Sequence, residues 1–284
     1  MRILLIGSEG YIGSSLKVTL SIANYNFETC DLRPSNSNVR HYQVDYGDMT
    51  KEKLSNYEVI ILLAAHSSVK ACVENPMEAI QNNVVNFMKL LTNLNSNQIL
   101  VYASSGSVYD GYNNSFPTEN ARILKSRNIY DYTKISNDFM ASCYDVKTIG
   151  LRFGTLSGQA PTIREDLIIN KMTADAINRK VIQVSNGSSY RSCLAIKDLN
   201  RAFDSLLSNI SLIADYHSIF NLSSFSHSIN EIAAKVSNLT GAPILVEKDS
   251  PTYNFSMSTK KFEKMFNFKF TEKIETIVKE LMSS

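Results

Sequence analysis

A glycine-rich turn between two apolar runs dominates the first thirty-one residues of the chain. Residues 1–6 predict a buried strand, and the turn 7–13 (GSEGYIG) follows directly. Apolar residues at helical spacing come next, and a second strand-like run ends at the carboxylate of Asp31. Glycines let a backbone approach a pyrophosphate, and a helix N-terminus offers it N–H groups and partial positive charge. This order predicts a dinucleotide site at Gly7, Gly10, Tyr11, Ile12 and Gly13.

Asp31 indicates which dinucleotide binds. It lies 18 residues after Gly13, where an acid can accept hydrogen bonds from the adenosine ribose hydroxyls. A carboxylate there repels the 2′-phosphate of NADP and pairs with a free 2′-hydroxyl, so NAD is favoured. Arg33, two residues further on, could neutralise a phosphate and keeps NADP open as the less favoured alternative.

Strand-like and helix-like runs alternate through the first half of the chain. This alternation predicts an α/β fold, a Rossmann-type doubly wound parallel sheet with a smaller C-terminal substrate lobe. We expect residues 1–155 to form the dinucleotide-binding domain, 193–225 to return to it, and 156–284 to form mainly the lobe. The expected strands are 3–6, 27–30, 41–44, 59–63, 99–103, 148–151, 181–184, 193–196 and 217–222, the last rejoining the sheet. The expected helices are 77–94, 130–144, 166–178, 197–209, 229–239 and 271–282.

Composition and charge exclude several classes of protein. The net charge of +2 comes with interspersed acids and bases, so no basic stripe suggests nucleic acid or a membrane surface as partner. Four scattered cysteines show neither metal-ligand spacing nor a disulfide framework, so we expect no metal site. No apolar run approaches membrane length, and the first strand begins at once, so we expect a cytoplasmic protein.

A second informative pattern pairs Tyr130 with Lys134, four residues apart and therefore on one face of a helix. A nearby cation lowers the pKa of a phenol, which is how a tyrosine can exchange protons near neutral pH. Ser107 lies just after the expected strand 99–103, at the edge of the sheet where ligands bind. It could bind a substrate hydroxyl and share the proton with Tyr130. We therefore assign Ser107, Tyr130 and Lys134 to catalysis.

These motifs together resemble the extended short-chain dehydrogenases/reductases of the NAD-dependent epimerase/dehydratase type. The resemblance covers nearly the whole chain and matches the glycine turn, Asp31 and the Ser107, Tyr130 and Lys134 set in order. It implies further cofactor contacts after the third, fourth and sixth strands and on the helix that follows the fourth strand. These are Asp45, Tyr46, Leu63, Ala64, Ala65, Asn83 and Phe153, with Tyr130 and Lys134 also touching the cofactor.

The resemblance also implies a nucleotide-sugar substrate. Thr155 lies where cofactor and substrate meet in the family, and Arg191 resembles the arginine that grips a nucleotide diphosphate. A guanidinium suits phosphate oxygens because its donors form a planar fork. Asn170 could also face the nucleotide, and residues 157–166 are expected to form a loop over the sugar. The expected substrate-binding residues are thus Ser107, Thr155, Asn170 and Arg191.

The reaction expected from the resemblance is epimerisation at C4 by reversible hydride transfer. Dehydratases of the family carry an Asp-Glu pair beside the catalytic serine or threonine, whereas the loop here reads Ser105-Gly106-Ser107-Val108. Reduction or oxidation of a 4-keto nucleotide sugar stays open as an alternative, as do decarboxylation and a non-catalytic dinucleotide sensor. Relatives of this fold also pair helices across a homodimer, for which Val84, Phe87, Leu91 and Phe139 could supply apolar contacts.

Overall fold

The computed structural model describes residues 1–124, 126 and 128–283. Its strands are β1 (Arg2–Ile6), β2 (Asn26–Asp31), β3 (His41–Gln43), β4 (Val59–Leu62), β5 (Ile99–Ser105), β6 (Lys147–Phe153), β7 (Thr155–Ser157), β8 (Ile182–Val184), β9 (Tyr190–Ala195), β10 (His217–Leu222), β11 (Phe225–Ser228) and β12 (Ile244–Val246). Seven of these, all parallel, form the central sheet in the order β10-β6-β5-β4-β1-β2-β3, which confirms the predicted Rossmann-type α/β fold.

Helices cover the sheet and build the lobe. Between Pro76–Ile80 and Asn86–Asn93 the helix continues through one π-helical stretch, Gln81–Val85, so the expected helix 77–94 is interrupted rather than uniform. Short 3₁₀ turns occupy Tyr46–Asp48, Gly106–Tyr109 and Ile210–Leu212. The α-helices are α1 (Tyr11–Ile22), α2 (Lys51–Leu54), α3 (Val69–Glu74), α4 (Pro76–Ile80), α5 (Asn86–Asn93), α6 (Ile129–Ala141), α7 (Ile168–Asn178), α8 (Ile196–Ser208), α9 (Ile229–Thr240), α10 (Lys260–Phe266) and α11 (Ile274–Met282).

The central strands are apolar on both faces because helices cover both. In β1, Ile3 and Leu5 pack into one core cluster with α1 and α8, whereas Leu4 and Ile6 pack into another with α5. This is the pattern of a parallel strand buried on both sides. Strand β1 has β2 on one side and β4 on the other, so the winding direction reverses there. Such a reversal opens a crevice at the carboxyl ends of the strands.

The lobe is assembled from two small sheets and its own core. Strands β11, β9 and β7 form one sheet, and β12 and β8 form the other. Helices α7, α9 and α11 bury their apolar faces against them. Strand β10 pairs with β6 in parallel, as the sequence predicted for 217–222. The predicted strand 193–196 instead belongs to β9, in the three-stranded lobe sheet.

Two of the four residues expected at a dimer interface lie inside the protein. Phe87 and Leu91 are 0% and 1% exposed, because α5 turns that face onto the central sheet. They belong to the core, so that part of the interface prediction is wrong. Val84 is half-buried, and Phe139 on α6 is 65% exposed. No helix in residues 1–124, 126 and 128–283 has the length and apolar character needed to cross a membrane.

Candidate active site

One large cavity of about 1390 Å³ lies at the carboxyl ends of the central strands and extends to the lobe. We call its walls the glycine-turn half (residues 7–13, Asp31 and Leu63 to Ala65) and the lobe half (Thr155, Arg164, Arg191 and Tyr253). Of the residues predicted for the site, all but two line this cavity: Gly7, Gly10, Tyr11, Ile12, Gly13, Asp31, Asp45, Tyr46, Leu63, Ala64, Ala65, Ser107, Tyr130, Lys134, Phe153, Thr155 and Arg191.

At two positions the glycine turn is folded too tightly for a side chain. Gly7 has φ +86°, and a Cβ there would lie 2.5 Å from the backbone nitrogen of Ala64 at the end of β4. A Cβ on Gly13 would lie 2.0 Å from the carbonyl oxygen of Gly7. Helix α1 then begins with Gly10 as its N-cap and no side-chain capping bond. The first N–H groups of a 12-residue helix therefore face the cavity, where an anionic group would satisfy them.

Asp31 is oriented by the turn it faces. Its Oδ2 accepts a hydrogen bond from the backbone N–H of Glu9 (2.9 Å), and its Oδ1 accepts one from that of Arg33 (3.0 Å). The Arg33 Nε lies 3.5 Å from Oδ1, with the side chain 54% exposed. Asp45 accepts from the backbone of Gly47 (2.8 Å) and from the Asn86 side chain (3.0 Å). Both carboxylates thus lie fixed at the cavity wall with lone pairs to spare.

Tyr130 and Lys134 lie one turn apart on α6. The Lys134 Nζ is 5.8 Å from the centre of the Tyr130 ring and donates to the carbonyl of Ala103 (2.9 Å). Burial raises the pKa of the Tyr130 phenol to about 12, and a hydrogen bond with the Ser105 hydroxyl opposes that rise. Burial also lowers the pKa of the Lys134 ammonium to about 8. The sequence pattern predicts that Lys134 lowers the pKa of the Tyr130 phenol, but burial of the phenol has the larger effect and raises it.

Ser105 is the hydroxyl beside Tyr130, and the sequence reasoning missed it. It is the last residue of β5, whereas Ser107 lies two residues later, in the 3₁₀ turn Gly106–Tyr109. The Ser107 hydroxyl lines the cavity but donates to the carboxylate of Asp131 (2.6 Å). The two serine hydroxyls are 2.7 Å apart. The signal available in the sequence was the strand end itself, because the final residue of a parallel strand lies at the ligand edge of the sheet.

Arg191 brings a buried positive charge to the lobe half. It is 7% exposed, and its guanidinium donates to the Tyr190 carbonyl (3.1 Å) and to the Thr252 hydroxyl. The rings of Tyr253 and Phe255 lie 5.7 and 5.9 Å from it. Burial lowers its pKa to about 10. Across the described parts of the chain, no carboxylate comes within 4 Å of this guanidinium, so its charge can serve an anionic ligand.

The two predicted residues outside the cavity wall have defined structural contacts instead. The Asn83 side chain accepts from the backbone N–H of His66 (2.7 Å) and donates to its carbonyl (3.1 Å), fixing the chain after β4. The Asn170 side chain accepts from the backbone of Gly158 (2.9 Å) and donates to the phenol of Tyr11 (3.1 Å) and the carbonyl of Arg164 (2.9 Å). Asn170 therefore holds the loop that covers the cavity, and its polar atoms are already satisfied.

Arg164 joins that loop to the opposite wall. It forms a two-pronged ion pair with Asp166 (3.0 and 2.6 Å) and donates to the hydroxyl of Ser67 (3.1 Å). Ser67 follows β4, so this contact spans the cavity from the lobe half to the central sheet. The sequence pattern placed a loop at 157–166 but did not single out Arg164.

Comparison with known proteins identifies the family to which the chain is similar. A family model described as "NAD dependent epimerase/dehydratase family" matches residues 3–223. "Protein CapI" of Staphylococcus aureus is 32% identical over 236 residues, which cover 73% of this chain and 69% of that protein. The "UDP-glucose 4-epimerase" of Corynebacterium glutamicum is 26% identical over 279 residues, covering 87% and 83%.

A solved structure, "MoeE5 in complex with UDP-glucuronic acid and NAD", superposes with a TM-score of 0.86 at 21% identity. It covers 99% of this chain, and this chain covers 97% of it. That likeness shows the fold. The family model and the CapI relative show more: the chain belongs to the NAD-dependent epimerase/dehydratase family, as the resemblance in its motifs predicted.

Proposed function

We propose that the protein is an NAD-dependent epimerase acting at C4 of a UDP-linked sugar. The observation that carries the proposal is that Tyr130, Lys134 and Ser105 face a single cavity that also contains the glycine turn and Arg191. Two of the compared proteins support the substrate class, since one is a UDP-glucose 4-epimerase and the other binds UDP-glucuronic acid with NAD.

The glycine-turn half fits a dinucleotide. The close approach at Gly7 and Gly13 leaves space that a side chain would fill, and the uncapped start of α1 matches a pyrophosphate. Asp31 matches a ribose with free hydroxyls, which favours NAD over NADP. Bound NAD would supply reversible hydride acceptance. The proposed contacts are Gly7, Gly10, Tyr11, Ile12, Gly13, Asp31, Asp45, Tyr46, Leu63, Ala64, Ala65 and Phe153, with Tyr130 and Lys134.

The protein's own part of the reaction is proton transfer and positioning. Tyr130 would exchange the proton of the sugar hydroxyl, with Ser105 holding the same oxygen. Lys134 supplies positive charge that favours the phenolate when a sugar and cofactor exclude water. Epimerisation needs no further acid. Dehydration does, and the loop beside Ser105 offers only Gly106 and Ser107 at the positions where dehydratases of the family carry carboxylates.

The lobe half would hold the substrate by its charged end. Arg191 presents a guanidinium to a diphosphate, and Thr155, also in the lobe half, would contact the substrate. Arg164 bridges the cavity and would close the sugar chamber. Binding energy gained at a diphosphate far from the reacting carbon is the usual means of holding a sugar in a reactive position.

The test is to release the small molecule from denatured protein and to incubate native protein with UDP-sugars. We expect mass spectrometry to find NAD and NMR to find the C4 epimer, with no net change in NADH absorbance. Stoichiometric production or consumption of NADH without an epimer would instead establish the dehydrogenase or reductase alternative. Retention of NAD with no conversion of any UDP-sugar would contradict the proposed substrate class.

A further inference from the structure

Asp131, the residue after Tyr130, is a buried carboxylate that the proposed reaction does not yet use. It is 2% exposed and accepts hydrogen bonds from the hydroxyl of Ser107 (2.6 Å), the phenol of Tyr253 (3.0 Å) and the side chain of Asn128 (2.8 Å). Within the described residues, no cation pairs with it. Burying a carboxylate without a cation is costly, and here only neutral donors compensate that cost. The buried position of Asp131 therefore needs an explanation.

Helix capping does not supply that reason. The side chain of Asn128 already caps α6 by accepting from the backbone N–H of Asp131 (3.0 Å). An acid in the first turn gains from the helix dipole while remaining at the surface. Nothing in that role requires Asp131 to turn inward and bind Ser107 in the turn that follows β5.

The contacts of Asp131 fix the direction of a row of hydroxyl groups. An ionised carboxylate can only accept hydrogen bonds, so Ser107 donates its single hydroxyl proton to Asp131. The bond between Ser107 and Ser105 (2.7 Å) must then be donated by Ser105. Ser105 has a single proton, so it donates either to Ser107, as in this row, or to the oxygen of Tyr130. In the row, it offers the cavity a lone pair. It lies beside the Tyr130 phenol, where the sugar hydroxyl would bind.

We propose that Asp131 is a second proton acceptor for the sugar hydroxyl, reached through Ser105 and Ser107. This inference rests on the proposed epimerisation and adds a relay to it. The sugar O–H bond breaks and its proton binds Ser105, while the Ser105 proton passes to Ser107 and the Ser107 proton to Asp131. The hydride leaving C4 goes to the cofactor, so the sugar becomes a ketone and the carboxylate becomes a neutral acid. Reduction runs the same steps in reverse.

The environment of Asp131 suits it to that task. Burial raises the pKa of its carboxyl, which makes it a stronger base than a solvated aspartate. The Tyr130 phenol, with a pKa raised to about 12, is protonated near neutral pH before cofactor and sugar bind, so a carboxylate linked to the same site offers a second base. The titratable or charged groups around it are Tyr130 on its own helix, Cys72 on α3, Asp110, and Tyr253 with Arg191 behind its ring.

The pH dependence of kcat separates this relay from a simple charge effect. If Asp131 accepts the proton, Asp131→Asn should lower kcat roughly 10- to 100-fold at neutral pH. It should also move the acid limb to higher pH by about one unit or more, because only the phenolate of Tyr130 then remains as base. If Asp131 were merely a negative neighbour, its removal would make Tyr130 easier to ionise, and the limb would move to lower pH. A downward shift overturns the proposal.

Ser107 variants keep the test decisive if Asp131→Asn folds poorly. Ser107→Ala breaks the row without changing charge and should reproduce the upward shift, whereas Ser107→Thr keeps a hydroxyl and should retain most activity. An unmoved limb in Ser107→Ala also overturns the relay. Asp215→Asn, an exposed carboxylate away from the cavity, is the charge control and should behave as wild type. In the double variant Ser107→Ala/Asp131→Asn, the loss should not exceed that of either single change.

Failure of the proposed function would be visible separately, as wild-type protein that converts no UDP-sugar. The Asp131 link is then testable by infrared titration, without substrate. A protonated-carboxyl band that is absent from Asp131→Asn should change frequency in Ser107→Ala, because that carboxyl loses its serine partner. A band unchanged by Ser107→Ala would show that the row is not formed in solution.

Discussion

The two halves of the cavity are built from very different stretches of the chain. The glycine-turn half comes from the first 65 residues, and its fit to a ligand depends on backbone shape at Gly7 and Gly13. The lobe half draws Arg164, Arg191 and Tyr253 from three separate segments, and side-chain hydrogen bonds hold them. Backbone shape follows from local sequence, whereas a side-chain network depends on how distant segments pack. The two halves should therefore respond differently to substitution.

Tyr130 lines the cavity and is the proposed proton-exchanging group, so its loss should have the largest effect. Tyr130→Phe removes the phenol that exchanges the sugar proton, so we expect kcat to fall about 10³-fold while bound NAD is retained. Turnover is measured by NMR with a UDP-sugar and bound cofactor by mass spectrometry. Tyr132→Phe is the matched control, since that phenol is 49% exposed two residues further along α6. Equal turnover in wild type and Tyr130→Phe would remove Tyr130 from the mechanism.

A methyl group in the glycine turn tests the half that depends on backbone shape. In Gly13→Ala the new Cβ would lie 2.0 Å from the Gly7 carbonyl, so the turn must open. Overpacking of this kind costs about 3 kcal/mol, which corresponds to roughly 100-fold weaker NAD binding. Calorimetric titration with NAD measures it.

Gly10→Ala provides the graded comparison for that experiment. Gly10 has φ −74°, and its Cβ would meet the Gly7 carbonyl at 3.3 Å, so we expect only a few-fold loss. Thermal unfolding of each variant distinguishes lost binding from lost folding. Equal NAD affinity in Gly13→Ala and wild type would show that the turn is not the pyrophosphate site.

The sequence predicted the glycine-turn half better than the lobe half, because only the first depends on local sequence. The strand–turn–helix order and the Tyr130–Lys134 spacing are local, and they placed the central sheet and one wall of the cavity. Asn170 was assigned to the substrate, yet its amide is consumed by Tyr11 and Gly158. No local pattern reveals a partner 159 residues away. Ser105 was missed for a different reason. Three of the four residues 104–107 are serines, so the sequence does not show which of them ends the strand.

Substitution of Arg191 tests the half that depends on side chains. Arg191→Met removes the buried guanidinium proposed to bind a diphosphate, and a hydrogen bond to a charged group contributes about 1.5–3 kcal/mol. We expect KM for the UDP-sugar to rise roughly 10- to 100-fold, with NAD affinity unchanged. Arg191→Lys should lie between, because it keeps the charge without the planar fork. The control is Arg179→Met, on a side chain 64% exposed. A loss of NAD affinity in Arg191→Met would show that the lobe half also contributes to cofactor binding, contrary to the proposed division.

The smallest expected effect lies outside the cavity, at Phe139. This side chain is 65% exposed on α6, and we propose that it belongs to a homodimer interface. Phe139→Ala should change the free energy of unfolding by no more than about 0.5 kcal/mol while favouring monomer in analytical ultracentrifugation. Leu212→Ala, another exposed apolar residue (55%), should leave association unchanged. Because both halves of the cavity lie within one chain, kcat and KM should not change on dissociation. Activity lost together with the dimer would mean that the partner subunit supports a wall of the cavity. The cavity would then have a third part besides its glycine-turn and lobe halves.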